Sequence, residues 1–137
     1  MKAIERAEPA IYAILRIVIG ALLFCHGFAK IFGVIGATVP VGSQMWIGGI
    51  LELVGGAMIA VGLFTRAAAF VLSGEMAVAY FQFHWKLDFA HGRFLPIVNK
   101  GELAVVYCFF FLYLWAHGPG PVSLDARIAS RRSPSAA

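Results

Sequence analysis

The sequence predicts an all-α fold, an integral membrane four-helix bundle, and three observations support this prediction. Of the 137 residues, 61% are hydrophobic, whereas an average soluble domain is about 45–50% apolar. The apolar residues are concentrated in four segments, each close to the ~20 residues that cross a bilayer as a helix. These segments lack the alternating pattern of strands, and lipid does not satisfy the hydrogen bonds of irregular backbone.

The first predicted helix, residues 10–28, follows Lys2 and Arg6, as the apolar core of a secretion signal would. This apolar run is long, contains Arg16 and is not followed by a small-residue cleavage motif. We therefore expect it to be retained as the first membrane-spanning helix.

Glycine and proline separate the first helix from the second. Residues 30–44 contain Gly33, Pro40 and Gly42, and these residue types predict a loop. The second helix, residues 45–64, is rich in glycine, and small residues allow helices to pack closely in lipid.

The third and fourth helices are bounded by short turns. A tight turn at residues 65–66 is predicted to lead into the third helix, residues 67–83, so that helices two and three form an antiparallel hairpin. The aromatic and basic side chains of residues 84–100 are expected to lie at the membrane surface. The fourth helix, residues 101–116, is predicted to end before the glycines and prolines of residues 118–121.

One domain is predicted over residues 1–128, followed by a basic tail without stable structure over residues 129–137. Ser123 is expected to cap a short helix that ends near Ile128. The cysteines of the chain fall inside apolar segments and form no CxxC pair, so neither a disulfide framework nor a zinc site is predicted.

Basic residues at the ends of the apolar segments predict the orientation. The side that holds both termini carries six Lys and Arg residues and the other side carries four. Cytoplasmic segments are richer in these residues, so both termini are predicted to be cytoplasmic. The basic residues are not arranged as a face with interleaved aromatics, and they therefore favour lipid headgroups over nucleic acid as a partner. The six are Lys2, Arg6, Arg66, Arg127, Arg131 and Arg132, and the four are Lys30, Lys86, Arg93 and Lys100.

Arg16, Glu52 and Glu75 lie well inside the predicted helices, where an unpaired charge costs about 2.5–3.5 kcal/mol on insertion scales. Their depths from the cytoplasmic helix ends are about 9, 17 and 13 Å at a rise of 1.5 Å per residue. We predict that Arg16 bridges both carboxylates in the centre of the bundle, as a catalytic cluster or proton path. The alternative is a purely structural pair that fixes the helix register.

Three further ionisable residues lie nearer the helix ends. Arg16, His26 and Lys30 share one stripe of the first helix, so His26 and Lys30 are predicted to face the bundle and bind a cofactor. Glu102 is either a further site carboxylate or a charge that favours a helix N-terminus. A minor alternative has His26 and His84, at similar depths, ligating one haem iron.

Four stretches resemble motifs of the DoxX family of small bacterial membrane proteins. Residues 16–30 (RIVIGALLFCHGFAK) and 52–66 (ELVGGAMIAVGLFTR) resemble two of its helices. Residues 99–102 and 118–125 resemble the start of its fourth helix and its closing motif. The resemblance covers about residues 12–128 and implies four transmembrane helices in the bacterial cytoplasmic (inner) membrane. The matching polar positions are Arg16, His26, Lys30, Glu52 and Glu102.

The resemblance also implies a function in redox chemistry. Some members belong to a thiosulfate:quinone oxidoreductase, and another belongs to a mycobacterial assembly with superoxide dismutase and a sulfurtransferase. Together with the charged cluster, this favours a redox-associated membrane subunit with a quinone as its cofactor. The sequence contains no dinucleotide fingerprint and no cluster cysteines, so a soluble or membrane redox partner is expected to supply electrons. Whether the protein is an enzyme by itself stays open.

Two other functions fit the same residues. Intramembrane carboxylates suit a small proton-coupled transporter, and since four helices enclose little space, such a transporter is expected to be a homo-oligomer. A non-catalytic scaffold would instead recruit soluble redox enzymes through residues 84–100 or the basic tail.

Overall fold

The structure, a computed structural model, describes residues 2–34 and 39–132, and every regular element within them is helical. This confirms the all-α class. The third helix continues without interruption into a π-helical turn, and a 3-10 turn follows in the next loop. The elements are α1 (Lys2–Phe32), α2 (Gln44–Val61), α3 (Thr65–Ala79), the π-helical turn Tyr80–Trp85, the 3-10 turn Ala90–Gly92, α4 (Pro96–Asn99), α5 (Glu102–His117) and α6 (Leu124–Arg132).

Each of the four predicted apolar segments overlaps a different one of the longer helices. The first lies within α1, the second runs past the end of α2, the third continues into the π-helical turn, and the fourth starts one residue before α5. By length and composition, Ile4–Phe32 and Gln44–Val61 are suited to cross a membrane, and Glu102–His117 is a shorter apolar helix. α1 begins at Lys2 rather than at residue 10, because its first residues are charged but are strong helix formers. Hydropathy marked only the part of the helix that is compatible with lipid.

The turn between α2 and α3 lies at residues 62–64, before the predicted position at residues 65–66. Gly62 ends α2 in the left-handed conformation, with φ of 72°, which glycine adopts without a steric penalty. Asp125 then accepts hydrogen bonds from the backbone N–H groups of Phe64 at 2.8 Å and Thr65 at 2.9 Å. The predicted turn at residues 65–66 is therefore wrong, because a distant carboxylate starts α3 at Thr65.

Backbone touches backbone where α1 packs against α2. A Cβ atom at Gly20 would lie 2.5 Å from the backbone nitrogen of Ala60, and one at Gly56 would lie 2.5 Å from that of Phe24. Gly27 meets the backbone of α2 in the same way. These contacts leave no room for any side chain at the three glycines, so dispersion between the two backbones holds the helices together.

The remaining core lies between α3 and α5. Leu72, Phe111 and Leu114 are fully buried, and Ser73 Oγ donates a hydrogen bond of 2.9 Å to the carbonyl oxygen of Cys108. The outer surface is apolar instead of polar, and Phe109 is 65% exposed. Large contiguous apolar surfaces are rare on soluble monomers, so lipid is the solvent that this surface suits.

Contacts between distant segments define two opposite ends of the molecule. At the first, Tyr12 of α1 donates a hydrogen bond to the carbonyl of Gly118 after α5, and Asp125 reaches the start of α3. We call this the terminal end. At the other, which we call the loop end, His84 Nδ1 lies 3.3 Å from the carbonyl oxygen of Asn99.

The predicted C-terminal tail is partly helical. Ser123 Oγ accepts a hydrogen bond of 3.1 Å from the backbone N–H of Ala126, which confirms the predicted cap. α6 nevertheless continues past Ile128 to Arg132, because the basic residues in its last turn interact favourably with the helix dipole. Residues 129–132 therefore belong to the helix, and residues 133–137 of the predicted tail lie outside the described residues.

Substituting Gly56 by Ala should destabilise the protein by about 1–3 kcal/mol, because the added methyl group meets backbone that cannot move aside. Gly74→Ala is the matched control, since a Cβ atom at Gly74 meets no heavy atom within 4 Å. Thermal unfolding in detergent measures both variants. Equal melting temperatures for the two variants would contradict the backbone contact.

Candidate functional site

An ion pair between α1 and α2 forms the centre of the candidate site. Lys30 Nζ lies 2.6 Å from Glu52 Oε1, and the side chain of Glu52 is only 6% exposed. Gly49 makes room for the pair, because a Cβ atom there would lie 3.1 Å from Lys30 Cβ. The position of Lys30 therefore depends on the same close approach of α1 and α2 that organises the fold.

A second carboxylate, on α3, lies near this pair. Glu75 Oε1 lies against Gly48 of α2, where a Cβ atom would be 3.0 Å away. The Oε2 atoms of Glu75 and Glu52 are both buried without a hydrogen-bond partner among the described residues. Buried polar atoms are nearly always hydrogen-bonded, so two orphaned carboxylate oxygens indicate a place that binds a ligand or protons.

Both carboxylates border one cavity of about 490 Å³ between α2 and α3. Its volume lies within the range of pockets that hold small organic ligands. We call it the carboxylate cavity. It is bounded by the polar side chains of Lys30, Gln44, Glu52, Glu75 and His84 and by apolar side chains that include Leu51, Val71, Val78 and Phe83.

A second cavity, of about 260 Å³, adjoins the first. Lys30, Glu52 and His84 border both cavities, so that the ion pair lies between them. We call the second one the histidine cavity, since His26 of α1 and His84 both border it. Tyr107 of α5, which is buried, closes another of its sides.

The structure brings four of the six predicted site residues to these two cavities. Lys30, Glu52 and Glu75 border the carboxylate cavity, and His26 borders the histidine cavity. Glu102 does not join them, because its side chain is exposed in the first turn of α5. At that position its carboxylate favours the helix N-terminus.

The predicted bridge from Arg16 to Glu52 and Glu75 is wrong. Arg16 is 1% exposed, and it donates hydrogen bonds to the carbonyl oxygens of Pro119 at 2.8 Å and Val122 at 2.7 Å. It forms no salt bridge within the described residues. Arg16 therefore fastens the segment after α5 to α1, and Lys30 is the cation that meets Glu52.

The error has a physical cause. The depth estimate placed the guanidinium group level with its own Cα atom, but a helical side chain points back towards the helix N-terminus. An arginine spans about a further helical turn in that direction. The guanidinium group of Arg16 consequently reaches the terminal end, where the chain after α5 offers free carbonyl oxygens.

His84 is the site residue whose position the sequence indicates least. Hydropathy predicts that it lies just beyond the third helix, at a depth similar to that of His26, and gives it only the alternative role of an iron ligand. The π-helical turn Tyr80–Trp85 extends α3 past this point, so His84 borders both cavities. A π-helical turn has no reliable signature in sequence, although such turns are frequent at functional sites.

Removing Lys30 should destabilise the protein through Glu52. A fully buried pair loses about 3–5 kcal/mol when one partner is removed. Lys30→Met should lose less, about 1–3 kcal/mol, because the Lys30 side chain is 30% exposed and solvent screens it. In the double variant with Glu52→Gln, much of this loss should be recovered. A double-mutant cycle on thermal unfolding measures the coupling, and additive effects would contradict a direct pair.

Removing Arg16 should release the segment after α5. Arg16→Met leaves the carbonyl oxygens of Pro119 and Val122 without their donor, so trypsin should cleave after Arg127 faster than in the unsubstituted protein. Arg6→Met is the control, because Arg6 is exposed at the start of α1. Equal cleavage rates in the two variants would show that Arg16 does not hold this segment.

Known proteins with similar sequences indicate the family of this chain. The model of the DoxX family matches residues 11–85. A protein of Haemophilus influenzae, described as an uncharacterized protein, is 41% identical over 130 residues, which are 91% of this chain and 96% of that protein. No solved structure matches the chain. The family match and the full-length relative show that this chain belongs to the DoxX family.

Proposed function

We propose that this protein is a membrane subunit that binds a quinone-like redox molecule between its helices and exchanges protons with it. The observation that carries the proposal is the carboxylate cavity. It combines apolar walls, the Lys30–Glu52 ion pair and orphaned carboxylate oxygens of Glu52 and Glu75. Apolar walls with a few convergent polar groups suit a ligand that has an apolar body and polar oxygens, as a quinone has.

The cavity offers both partners that a quinone ring needs. Leu51, Val71 and Phe83 supply apolar contacts for the ring. An ammonium group has three N–H donors, and Lys30 Nζ uses one of them on Glu52. The others are available to a quinone oxygen, so Lys30 is the donor of the proposed site.

Carboxylates complete the proton chemistry. A quinone becomes a quinol by taking up two electrons and two protons. We assign the proton exchange to Glu75 and Glu52, because their Oε2 atoms are the orphaned groups at the cavity. The electrons are assigned to a soluble or membrane redox partner, since the sequence lacks a dinucleotide fingerprint.

The proposed setting is the bacterial inner membrane, crossed by α1, α2, α3 with its π-helical turn, and α5 as a four-helix bundle. Hydrogen bonds from Tyr12 to Gly118 and from Arg16 to Pro119 support an even number of crossings, because they join the start of α1 to the end of α5. The basic residues of α6 lie at that end, which supports a cytoplasmic location for both termini. A second copy of the chain is a further expected partner.

Quinone binding tests the proposal. The purified protein in lipid nanodiscs is titrated with decylubiquinone and with a short-chain menaquinone, each in its oxidised and in its reduced quinol form, and binding is followed by calorimetry. A carboxylate accepts a hydrogen bond from a quinol hydroxyl group but not from a quinone carbonyl group. A hydrogen bond to a charged group contributes about 1.5–3 kcal/mol, so Glu75→Gln and Glu52→Gln should each weaken quinol binding about 10–100-fold. Glu8→Gln is the matched control, because Glu8 is an exposed carboxylate near the start of α1.

Two results would overturn the proposal. One is the lack of saturable binding of either quinone by the unsubstituted protein. The other is equal quinol affinity in Glu75→Gln and Glu8→Gln, which would show that the cavity carboxylates do not touch the ligand. Proton-coupled solute uptake by proteoliposomes without quinone binding would instead establish the transporter.

A further inference from the structure

A third cavity lies at the loop end and is markedly polar. It has a volume of about 520 Å³ and is bordered by Lys86, Asp88, Arg93 and Asn99. Arg93 Nη1 lies 3.0 Å from Asp88 Oδ2, and both side chains are partly exposed. A cavity of this size with several hydrogen-bonding groups holds water. We call it the loop cavity.

His84 borders the loop cavity as well as the carboxylate and histidine cavities. One imidazole ring therefore lies where a polar cavity at the loop end meets the two cavities that Glu52 borders. Imidazole is also the side chain that most readily gains and loses a proton near neutral pH. Among the described residues, no other side chain borders all three of these cavities.

The orientation of the ring suits proton transfer. His84 Nδ1 lies 3.3 Å from the carbonyl oxygen of Asn99, which accepts but does not donate, so the neutral ring carries its proton on Nδ1. Nε2 is then left as a proton acceptor. A proton that binds Nε2 gives an imidazolium ion, and its transfer to a carboxylate restores the neutral ring.

The route is closed from the terminal end. Between Arg16 and the carboxylates, the helices contribute Leu23, Ile59, Leu72 and Phe111, each at most 1% exposed. Arg16 itself is held by backbone carbonyl groups. Packed apolar side chains offer water no hydrogen bonds, so this layer separates the carboxylates from the terminal end.

We infer that His84 is the proton gate of the site, and that water and protons reach Glu52 and Glu75 from the loop end only. The charged groups around the ring are Lys30, Glu52, Glu75 and Lys100 on the inner side and Lys86, Asp88 and Arg93 on the outer side. With all of these groups ionised, the outer set carries a net charge of +1, because Lys86 and Arg93 exceed Asp88 by one, and the inner set is neutral, because two lysines balance two carboxylates. This difference favours movement of a proton inward past His84. That this route supplies protons to a bound quinone rests on the proposed function.

Sided cysteine labelling tests the inference without requiring a quinone. In a Cys25→Ser, Cys108→Ser background, Glu75→Cys reports on the carboxylate cavity. A small membrane-impermeant thiosulfonate cation is added to either face of membrane vesicles of known orientation. We expect Glu75→Cys to be labelled from the loop end and not from the terminal end. Val78→Cys, which borders the same cavity, is a second reporter in case the first variant folds poorly.

The role of His84 is tested by adding His84→Phe to the reporter. Phenylalanine fills the same space but gives water no hydrogen bond, and we expect labelling from the loop end to slow about tenfold. His117→Phe is the matched control, because His117 is exposed at the terminal end of α5. It should leave the labelling rate unchanged.

Labelling from both faces, from the terminal end alone or from neither face overturns the one-sided route. An unchanged rate in His84→Phe overturns the gate. These results are separable from the proposed function. Quinone binding with unsided labelling removes only the gate, whereas sided labelling that depends on His84, without quinone binding, supports the route and removes the quinone.

Discussion

The direct backbone contact between α1 and α2 is the constraint on which the rest of the site depends. Gly20, Gly27 and Gly56 leave no space for side chains, so the two helices approach closely without the bulky packing of a soluble core. At the same interface, Gly49 lets Lys30 lie against α2 and reach Glu52. A wider separation of α1 and α2 would break this ion pair, although both helices would still form.

The site that results has two carboxylates, of which only Glu52 is paired with a cation among the described residues. Lys30 neutralises one oxygen of Glu52, while the Oε2 atoms of Glu52 and Glu75 are left without partners among the described residues. Burying such atoms destabilises a fold, and a purely structural pair would need only one carboxylate. The two carboxylate oxygens without a partner therefore distinguish this cluster from an ion pair that only fixes the positions of two helices.

The sequence predicted much of the fold and about half of the site geometry. Apolar segments located α1, α2, α3 and α5, because hydropathy is a local property of composition. The stripe of α1 that holds His26 and Lys30 also faces the cavities, since helical periodicity fixes the face of a side chain. The partner of Arg16 and the cap from Asp125 could not be predicted in this way. Both are contacts between residues far apart in the chain, and the π-helical turn that positions His84 leaves no periodic signal.

The anchoring of Arg16 also sets an order for biosynthesis. α1 leaves the ribosome first, but the carbonyl oxygens that accept hydrogen bonds from the two Nη atoms of Arg16 belong to Pro119 and Val122. Until that late stretch has been translated, the nascent chain holds an uncompensated cation in its first helix. The contacts of Arg16 are therefore completed only after residue 122 has been made, and a product truncated before residue 119 would lack both acceptors.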